Sequence, residues 1–555
     1  MPDPSTVLRI IPLGGVGEIG KNMYVFEYGD DIVVIDCGLM FPDEEMYGID
    51  LVVPDVTYLK ENAAKVRAFL ITHAHEDHVG GLPYVLPDFP GVPIYASTLA
   101  RGLLGNKIKE HKLHANPLLA LDPGDELTIG PFDVIPFRVG HSIPDAMGIA
   151  LRTPVGVVVH TGDFKFDHTP VDGKQSDFAI IARMGEEGVV ALLSDSTRAE
   201  SAGYTPSERT VGEAFRDIME GLDGRVIVAT FASNIARIQQ VFDAAKQFDR
   251  QVAVVGRSME QNTRIASDLG YLKFEPSQVL PKDRIGDHPA RRTVIVTTGA
   301  QGEPMSGLAR MANRDHRFVE IQPGDTVIVS ASPIPGNEEY VARTIDNLFK
   351  AGANVYYHAI THAHVSGHAS AEELKLMLGL TKPTNFIPMH GEFRMLVQHG
   401  RLAIETGVKP ENVFIIENGT PIEISEDGSA RRGTSVPAGY VYVDGLSVGE
   451  VGDVVLRDRR ALANDGMFMI VVQVDKQTNR VVGRPEIITR GFVHGPEEER
   501  IIEEAITRVR AAVDAPGDRI SEIALLKSQI KDGVSRFLYE QTKRRPMVFP
   551  VVVEV

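Results

Sequence analysis

Four potential metal ligands stand within six residues of one another in Thr72-His73-Ala74-His75-Glu76-Asp77-His78, directly behind the apolar run Ala68-Phe69-Leu70-Ile71. A short apolar run bounded by polar turns has the pattern of a buried strand. In an extended segment side chains two apart project to one side, so His73, His75 and Asp77 can converge while His78 points elsewhere. Imidazole and carboxylate ligands without a thiolate suit Zn²⁺ first, with Mn²⁺ or Mg²⁺ as alternatives. One loop rarely offers four ligands to one compact ion, and two divalent ions sharing the loop explain the excess. The competing reading is a solvated turn that happens to be rich in histidine. The strand before the motif and Val79-Gly80-Gly81 after it count against that.

A chain of 555 residues is too long for a single core, so about three domains are expected. The lone cysteine, Cys37, excludes a disulfide framework and fits a reducing cytoplasm. Met1-Pro2-Asp3-Pro4 lacks the basic and apolar regions of a signal peptide, and no apolar run reaches the length of a membrane span. A formal charge of −18 argues against non-specific coating of nucleic acid, which depends on cationic contacts with phosphate. A local basic groove, or metal ions at the phosphate, remain open.

The first 200 or so residues read as strands and turns, including Ile32-Val33-Val34-Ile35 and Val157-Val158-Val159. From about Thr205 helix-like stretches, Ser207 to Gly221 and Asn234 to Phe248, alternate with strands at Arg225 to Val228 and Gln251 to Val255. Thr293 to Thr298 and Thr326 to Ser330 continue the series, the pattern of an α/β layer with parallel strands. Gly428 to Ser435 dissolves into small and charged residues and reads as a linker. Beyond about Ser447 a strand at Gly466 to Val472, two helices after Pro496 and a terminal Val551-Val552-Val553 suggest a small α+β domain.

The H-x-H-x-D-H motif after a buried strand resembles the metallo-β-lactamase superfamily. Further motifs match it singly: His141 in Val139-Gly140-His141-Ser142, Asp163 in His160-Thr161-Gly162-Asp163, and His390 in Pro388-Met389-His390-Gly391-Glu392. The resemblance assigns one ion to His73, His75 and His141, the other to Asp77, His78 and His390, and places Asp163 between them. About 180 residues, largely α/β, separate Ser207 from His390. Such an insertion resembles the β-CASP nucleases, as do Ser194-Asp195-Ser196-Thr197 and Ala363-His364-Val365-Ser366-Gly367-His368-Ala369-Ser370.

Three more segments resemble the bacterial ribonuclease J family: residues 12–22 with Gly14-Gly15-Val16-Gly17, Asp36-Cys37-Gly38, and Ser332-Pro333-Ile334-Pro335-Gly336-Asn337-Glu338. The likeness implies an αββα metallo-β-lactamase sandwich (1–205 and 356–427) interrupted by a β-CASP domain (206–355). A linker (428–450) and a small α+β C-terminal domain (451–555) follow. It implies 5′-to-3′ exonuclease activity preferring 5′-monophosphorylated single-stranded RNA, with endonuclease activity, in rRNA processing and mRNA decay. Asp195 and His368 would serve proton transfer, and Ser332, His364, Ser366, Gly367, His368 and Ser370 would hold phosphate. The C-terminal domain would support a homodimer or higher homo-oligomer.

Plainer readings stand beside these. Gly14 to Gly17 lacks the strand-to-helix setting of a P-loop and reads as a tight turn. Asp195 could cap a turn, Ser332 to Gly336 could be only a rigid loop, and Arg257, Arg264 and Arg310 could be solvated helix faces rather than an RNA groove. Two other functions compete with a ribonuclease: a hydrolase of small thioesters, lactones or lactams, and a non-catalytic RNA scaffold. The long insertion and the histidine segment count against the first, and seven competent ligand positions against the second.

Overall fold

The computed structural model describes residues 6–43, 45–113, 115–302, 305–333, 337–361, 363–478, 480–493, 495–513 and 523–555. The N-terminal Met1 to Pro4 and the Ile334-Pro335-Gly336 part of the proline-rich segment lie outside them. Two compact units emerge: residues 1–41 with 51–441, and residues 42–50 with 442–555.

The first unit is built on two facing sheets. One runs in the order Ala430–Arg432, Ile422–Ile424, Leu8–Gly14, Met23–Tyr28, Asp31–Ile35, Val66–Leu70, Ile94–Ala96 and Leu118–Ala120. The other runs Asn385–Met389, Val189–Asp195, Gly156–His160, Met147–Thr153, Phe132–Arg138 and Leu127–Ile129. Strand side chains alternate faces, and the sequence supplies apolar residues to both. Val33, Ile35, Leu70, Met147, Ile149 and Leu193 meet between the sheets. Val34, Phe69 and Ile71 turn outward onto residues such as Val79, Leu82 and Leu104. Ala150, Val159 and Leu192 turn outward the other way, toward Ile181, Met377 and Leu402. Helices therefore cover both outer faces, the αββα sandwich that the sequence suggested.

The insertion leaves this sandwich after the strand Val189–Asp195 and returns in the strand Asn385–Met389, which pairs parallel with it from Ala191↔Asn385 to Asp195↔Met389. The strand that ends in Asp195 and the strand that ends before His390 are thus neighbours. Between them lies a parallel sheet ordered Gln251–Val255, Thr293–Thr297, Val226–Ala229, Thr326–Val329 and Asn354–Tyr356. The helices Arg209–Met219 and Ile235–Gln247 fall where the apolar periodicity puts them. Ser330 and Ser332 follow the carboxyl end of a parallel strand, the usual side for ligands in such sheets.

The stretch 428–450, expected as a linker, is partly built in. Ala430–Arg432 pairs antiparallel with Ile422–Ile424 as an edge strand, and Tyr440–Asp444 is also extended. Its small, charged residues are what an exposed edge tolerates. In the second unit the strand Met467–Val474 lies between Val481–Arg490, antiparallel, and Met547–Glu554, parallel. The helices Pro496–Val513 and Ile523–Thr542 bury Ile501, Ala505, Val509, Ile530 and Phe537 against one face of that sheet. Among the described residues no helix is long and apolar enough to cross a membrane.

His399, wholly buried on the helix Phe393–Glu405, makes a contact of 2.9 Å from Nδ1 to Ser196 Oγ. Burial depresses its pKa to about 3, against about 6.5 for an unfolded imidazole. Between those values the unfolded chain binds the extra proton, so stability is full above the upper one and falls as pH drops toward the lower. Wild type should lose about 2 kcal/mol more than His399→Leu between pH 8 and pH 5. Urea unfolding of both proteins at the two pH values checks this; equal losses would show that His399 is not the titrating group.

Candidate metal centre

The loop after Val66–Leu70 stays extended only to His75, whose φ and ψ are −73° and 151°. A helical turn, Glu76–Val79, begins at the next residue. This corrects the alternation argument, which placed Asp77 with the first two histidines and turned His78 away. On the helical turn His78 Nε2 comes within 3.6 Å of Asp77 Oδ2 and 3.2 Å of Asp163 Oδ2. Two overlapping groups result: His73, His75, His141 and Asp163, and Asp77, His78, Asp163 and His390. In each group one ligand-type atom per residue lies within 4.8 Å of all the others. Asp163 belongs to both.

The hydrogen bonds around the cluster fix which ring nitrogens carry protons. His141 Nδ1 lies 2.8 Å from Gly367 O, which can only accept, so this nitrogen donates and Nε2 points inward bare. Thr72 Oγ donates to Asp36 Oδ2 at 2.8 Å and therefore accepts from His73 Nδ1 at 3.0 Å, leaving His73 Nε2 bare. His78 Nδ1 donates to Asp36 Oδ2 at 2.8 Å, and the Asn22 amide nitrogen stands 3.2 Å from His78 Nε2. Bare Nε2 atoms of His73 and His141 both crowd His75 Nδ1, at 3.0 and 3.1 Å. Asp163 Oδ1 is buried with no hydrogen-bond partner among the described residues. Lone pairs and carboxylate oxygens converging at one place are the donor set of divalent cations, with His73, His78, His141 and His390 each oriented by an outer partner. The residues fit the ions.

The electrostatics agree. Burial works to neutralise every group here, yet His390 and His78 hold Asp163 well below the usual carboxylate range. Burial likewise opposes charge on His390, but Asp163, Asp195 and Asp77 draw its pKa up to about 10. Burial and neighbouring imidazoles hold His73 and His141 well below their ordinary value. The carboxylates demand positive charge; the histidines of the first group decline to supply it as protons.

His390 sits at φ 47°, in the left-handed region, and its N–H donates to Gly15 O at 2.6 Å. Gly15 has φ 84°, and a Cβ there would come within 2.2 Å of Asn22 Oδ1. The glycine-rich Gly14 to Gly17 turn therefore shapes the His390 loop. Asn22 Nδ2 also donates to Asp77 O at 3.1 Å. Asp36, Thr72 and Asn22 were the positions missed as parts of the site. Asp36, at the end of Asp31–Ile35 and at φ 62°, was visible as a strand-terminal acid but carried no sign of its partner.

Comparison with known proteins assigns the chain to a family. Residues 16–227 match the metallo-beta-lactamase superfamily, 223–348 the ribonuclease J beta-CASP domain, 352–416 the Zn-dependent metallo-hydrolase RNA specificity domain, and 454–555 the ribonuclease J C-terminal domain. Ribonuclease J2 of Bacillus subtilis is 44% identical over 550 residues, 99% of each chain. Ribonuclease J of Thermus thermophilus is 44% identical over 561 residues, covering 99% of this chain and 96% of its own. The chain belongs to the ribonuclease J family. It is a metal-dependent ribonuclease that binds RNA. A crystal structure of a protein of unknown function from Enterococcus faecalis shares the fold, with a TM-score of 0.55 at 15% identity over 75% of this chain and 100% of that one.

A third group adjoins the second: Asp195, His368, His390 and Asp163. His368 Nδ1 meets Asp195 Oδ2 at 2.7 Å, and Asp195 Oδ1 lies 3.5 Å from His390 Nδ1. Burial alone would lower His368, but Asp195 raises it above the ordinary imidazole value. The histidine segment is pinned at each step. Ser366 Oγ accepts from His368 N at 3.1 Å, and Gly367 presses so close that a Cβ would sit 2.8 Å from the His141 ring. Ser370 is buried, caps the helix Ala371–Thr381 and bonds Thr205 Oγ at 2.9 Å. These contacts engage the Ser370 hydroxyl and fit Gly367 tightly against the His141 ring. Ser332 is exposed, with its carbonyl held by Gln301 Nε2 at 2.8 Å. Of the arginines weighed for an RNA groove, Arg310 bonds its own helix's end at Asp315 O.

Proposed function

We propose that the chain hydrolyses RNA phosphodiesters at a two-metal centre, as a 5′-to-3′ exonuclease that prefers 5′-monophosphate ends and also cuts internally. The observation that carries it is the pair of ligand sets sharing Asp163, with the Asp195–His368 pair beside them. His73, His75 and His141 would hold one ion, Asp77, His78 and His390 the other, and Asp163 both. Divalent ions there, Zn²⁺ first and Mn²⁺ or Mg²⁺ next, would supply positive charge that acidifies water and offsets charge on the attacked phosphate. Asp195 holds His368 by Nδ1, which leaves Nε2 to give a proton to the leaving oxygen. Ser332 and His368 would meet a 5′-monophosphate, with Ser370 supporting their loop from behind. A triphosphate adds bulk and charge that such a pocket rejects.

The enzyme would act in the cytoplasm, in rRNA processing and mRNA decay, consistent with a single buried thiol at Cys37. It would assemble as a homodimer or higher oligomer through the C-terminal unit, whose sheet exposes Phe549, Val551 and Val553. Identical RNAs bearing 5′-monophosphate, triphosphate or hydroxyl ends test the end preference. Wild type should degrade the monophosphate form fastest, and Ser332→Ala should lose much of that preference. Equal rates on all three ends would leave an endonuclease without a 5′ pocket. Chelation followed by return of Zn²⁺, Mn²⁺ or Mg²⁺ singly identifies the working ion by which one restores cleavage.

A further inference from the structure

Arg237 is the largest fully buried side chain among the described residues and projects from the helix Ile235–Gln247 of the inserted domain. All five of its N–H groups are used. Nε and Nη2 grip the two carboxylate oxygens of Glu208, each at 2.9 Å, so the charge is cancelled where it is buried. Nη2 also donates to Val365 O at 3.3 Å, and Nη1 to Ser330 O at 2.7 Å. The remaining contact, 2.9 Å, runs from Nη1 to His364 Nδ1. One guanidinium therefore joins three segments: the entry to the insertion at Glu208, the strand end leading to Ser332, and the histidine segment. Ser330 Oγ closes the same junction by donating to Ala363 O at 2.5 Å.

Arginine is a donor only and keeps its proton, so His364 Nδ1 must be the acceptor. A neutral imidazole whose Nδ1 accepts carries its proton on Nε2. The charges that act most strongly on the ring are all basic: Arg237, Lys165, Arg198 and His358. Glu208 is engaged by the guanidinium. The contrast lies four residues away, where His368 Nδ1 faces the carboxylate of Asp195 instead. Two histidines of one segment are thus set in opposite roles by partners of opposite charge.

We propose that Arg237 is a positioning residue that fixes His364 as a neutral Nε2–H donor to a non-bridging oxygen of the RNA backbone. This rests on the reading of the histidine segment as facing RNA. A donor of fixed sense binds phosphate oxygen without taking up a proton. Because Arg237 belongs to the inserted domain, it also makes that contact depend on the two domains being docked.

The test uses the full chain labelled with ¹⁵N-histidine, with the His364 resonances assigned by His364→Gln. Across about pH 6 to 8 the spectrum should show Nε2 protonated and Nδ1 bare, without change. A protonated Nδ1 or an imidazolium in that range overturns the proposal. Arg237→Lys keeps a cation for Glu208 but cannot reach Glu208, Ser330 and His364 together. It should raise the KM for single-stranded RNA about tenfold or more, leave kcat within roughly threefold, and turn His364 into a tautomer mixture. If that variant does not fold, the wild-type spectrum and His364→Ala decide: His364→Ala should raise KM by about tenfold. An unchanged KM in His364→Ala overturns the proposal. RNA cleavage by wild type in the same assay separates that outcome from a failure of the nuclease reading itself.

Discussion

Asp77→Ala and His78→Ala should each abolish RNA cleavage, a fall of about 10³-fold or more, and each should lose one equivalent of bound divalent metal. Both side chains lie in the group with His390 and Asp163, and neither belongs to the apolar core. The fold should therefore survive, as circular dichroism would report. The two variants should still differ in stability. Asp77 is partly exposed, with its carboxylate facing imidazoles. His78 is buried and donates to Asp36, which also accepts from Thr72 N and Thr72 Oγ. Truncating His78 leaves a buried carboxylate oxygen short of a donor, which costs about 1–3 kcal/mol or more, so its Tm should be the lower. Near wild-type turnover at unchanged metal content in either variant would refute the assignment of that second ion.

His368→Ala should depress turnover by about 10² to 10⁴ while RNA still binds, the range expected for loss of a general acid. Asp195→Ala should cost more. Asp195 holds His368, accepts from Thr197 N at 2.9 Å, and lies beside His390, so its loss disturbs a metal-group histidine as well as the proton donor. Turnover on one RNA, with binding measured separately by fluorescence anisotropy, separates the two effects. A loss below about threefold in His368→Ala, where an acid gives roughly 10² or more, would make it a bystander.

How much of this was legible differs from residue to residue. Val33 and Ile35, or Ala253 and Val255, announce buried strands because short apolar runs with β-branched residues have few other uses. The helices 209–219 and 235–247 were legible because apolar residues at helical spacing face a sheet. The strand Ala430–Arg432 was not. Its residues have no apolar pattern, and only pairing with Ile422–Ile424 makes them a strand. His78 was misplaced because alternation assumes an extended backbone, and nothing in Ala74-His75-Glu76 marks the turn of helix that rotates it inward.

The sequence by itself determined the ligand inventory: imidazoles and carboxylates with no thiolate beyond one buried cysteine, spaced so that four stand on a single loop. It also determined that the long interval before His390 is an α/β layer, since local periodicity is a property of neighbouring residues. Only the tertiary structure decided which ring nitrogens face the centre, because that follows from partners far along the chain: Asp36 for His78, Gly367 for His141, Asp195 for His368. It alone decided that Arg237 and Asp195 take opposite charges to two histidines four residues apart. Contacts across 42 to 226 residues leave no periodic trace in a sequence, whereas the chemistry at a site depends on them directly.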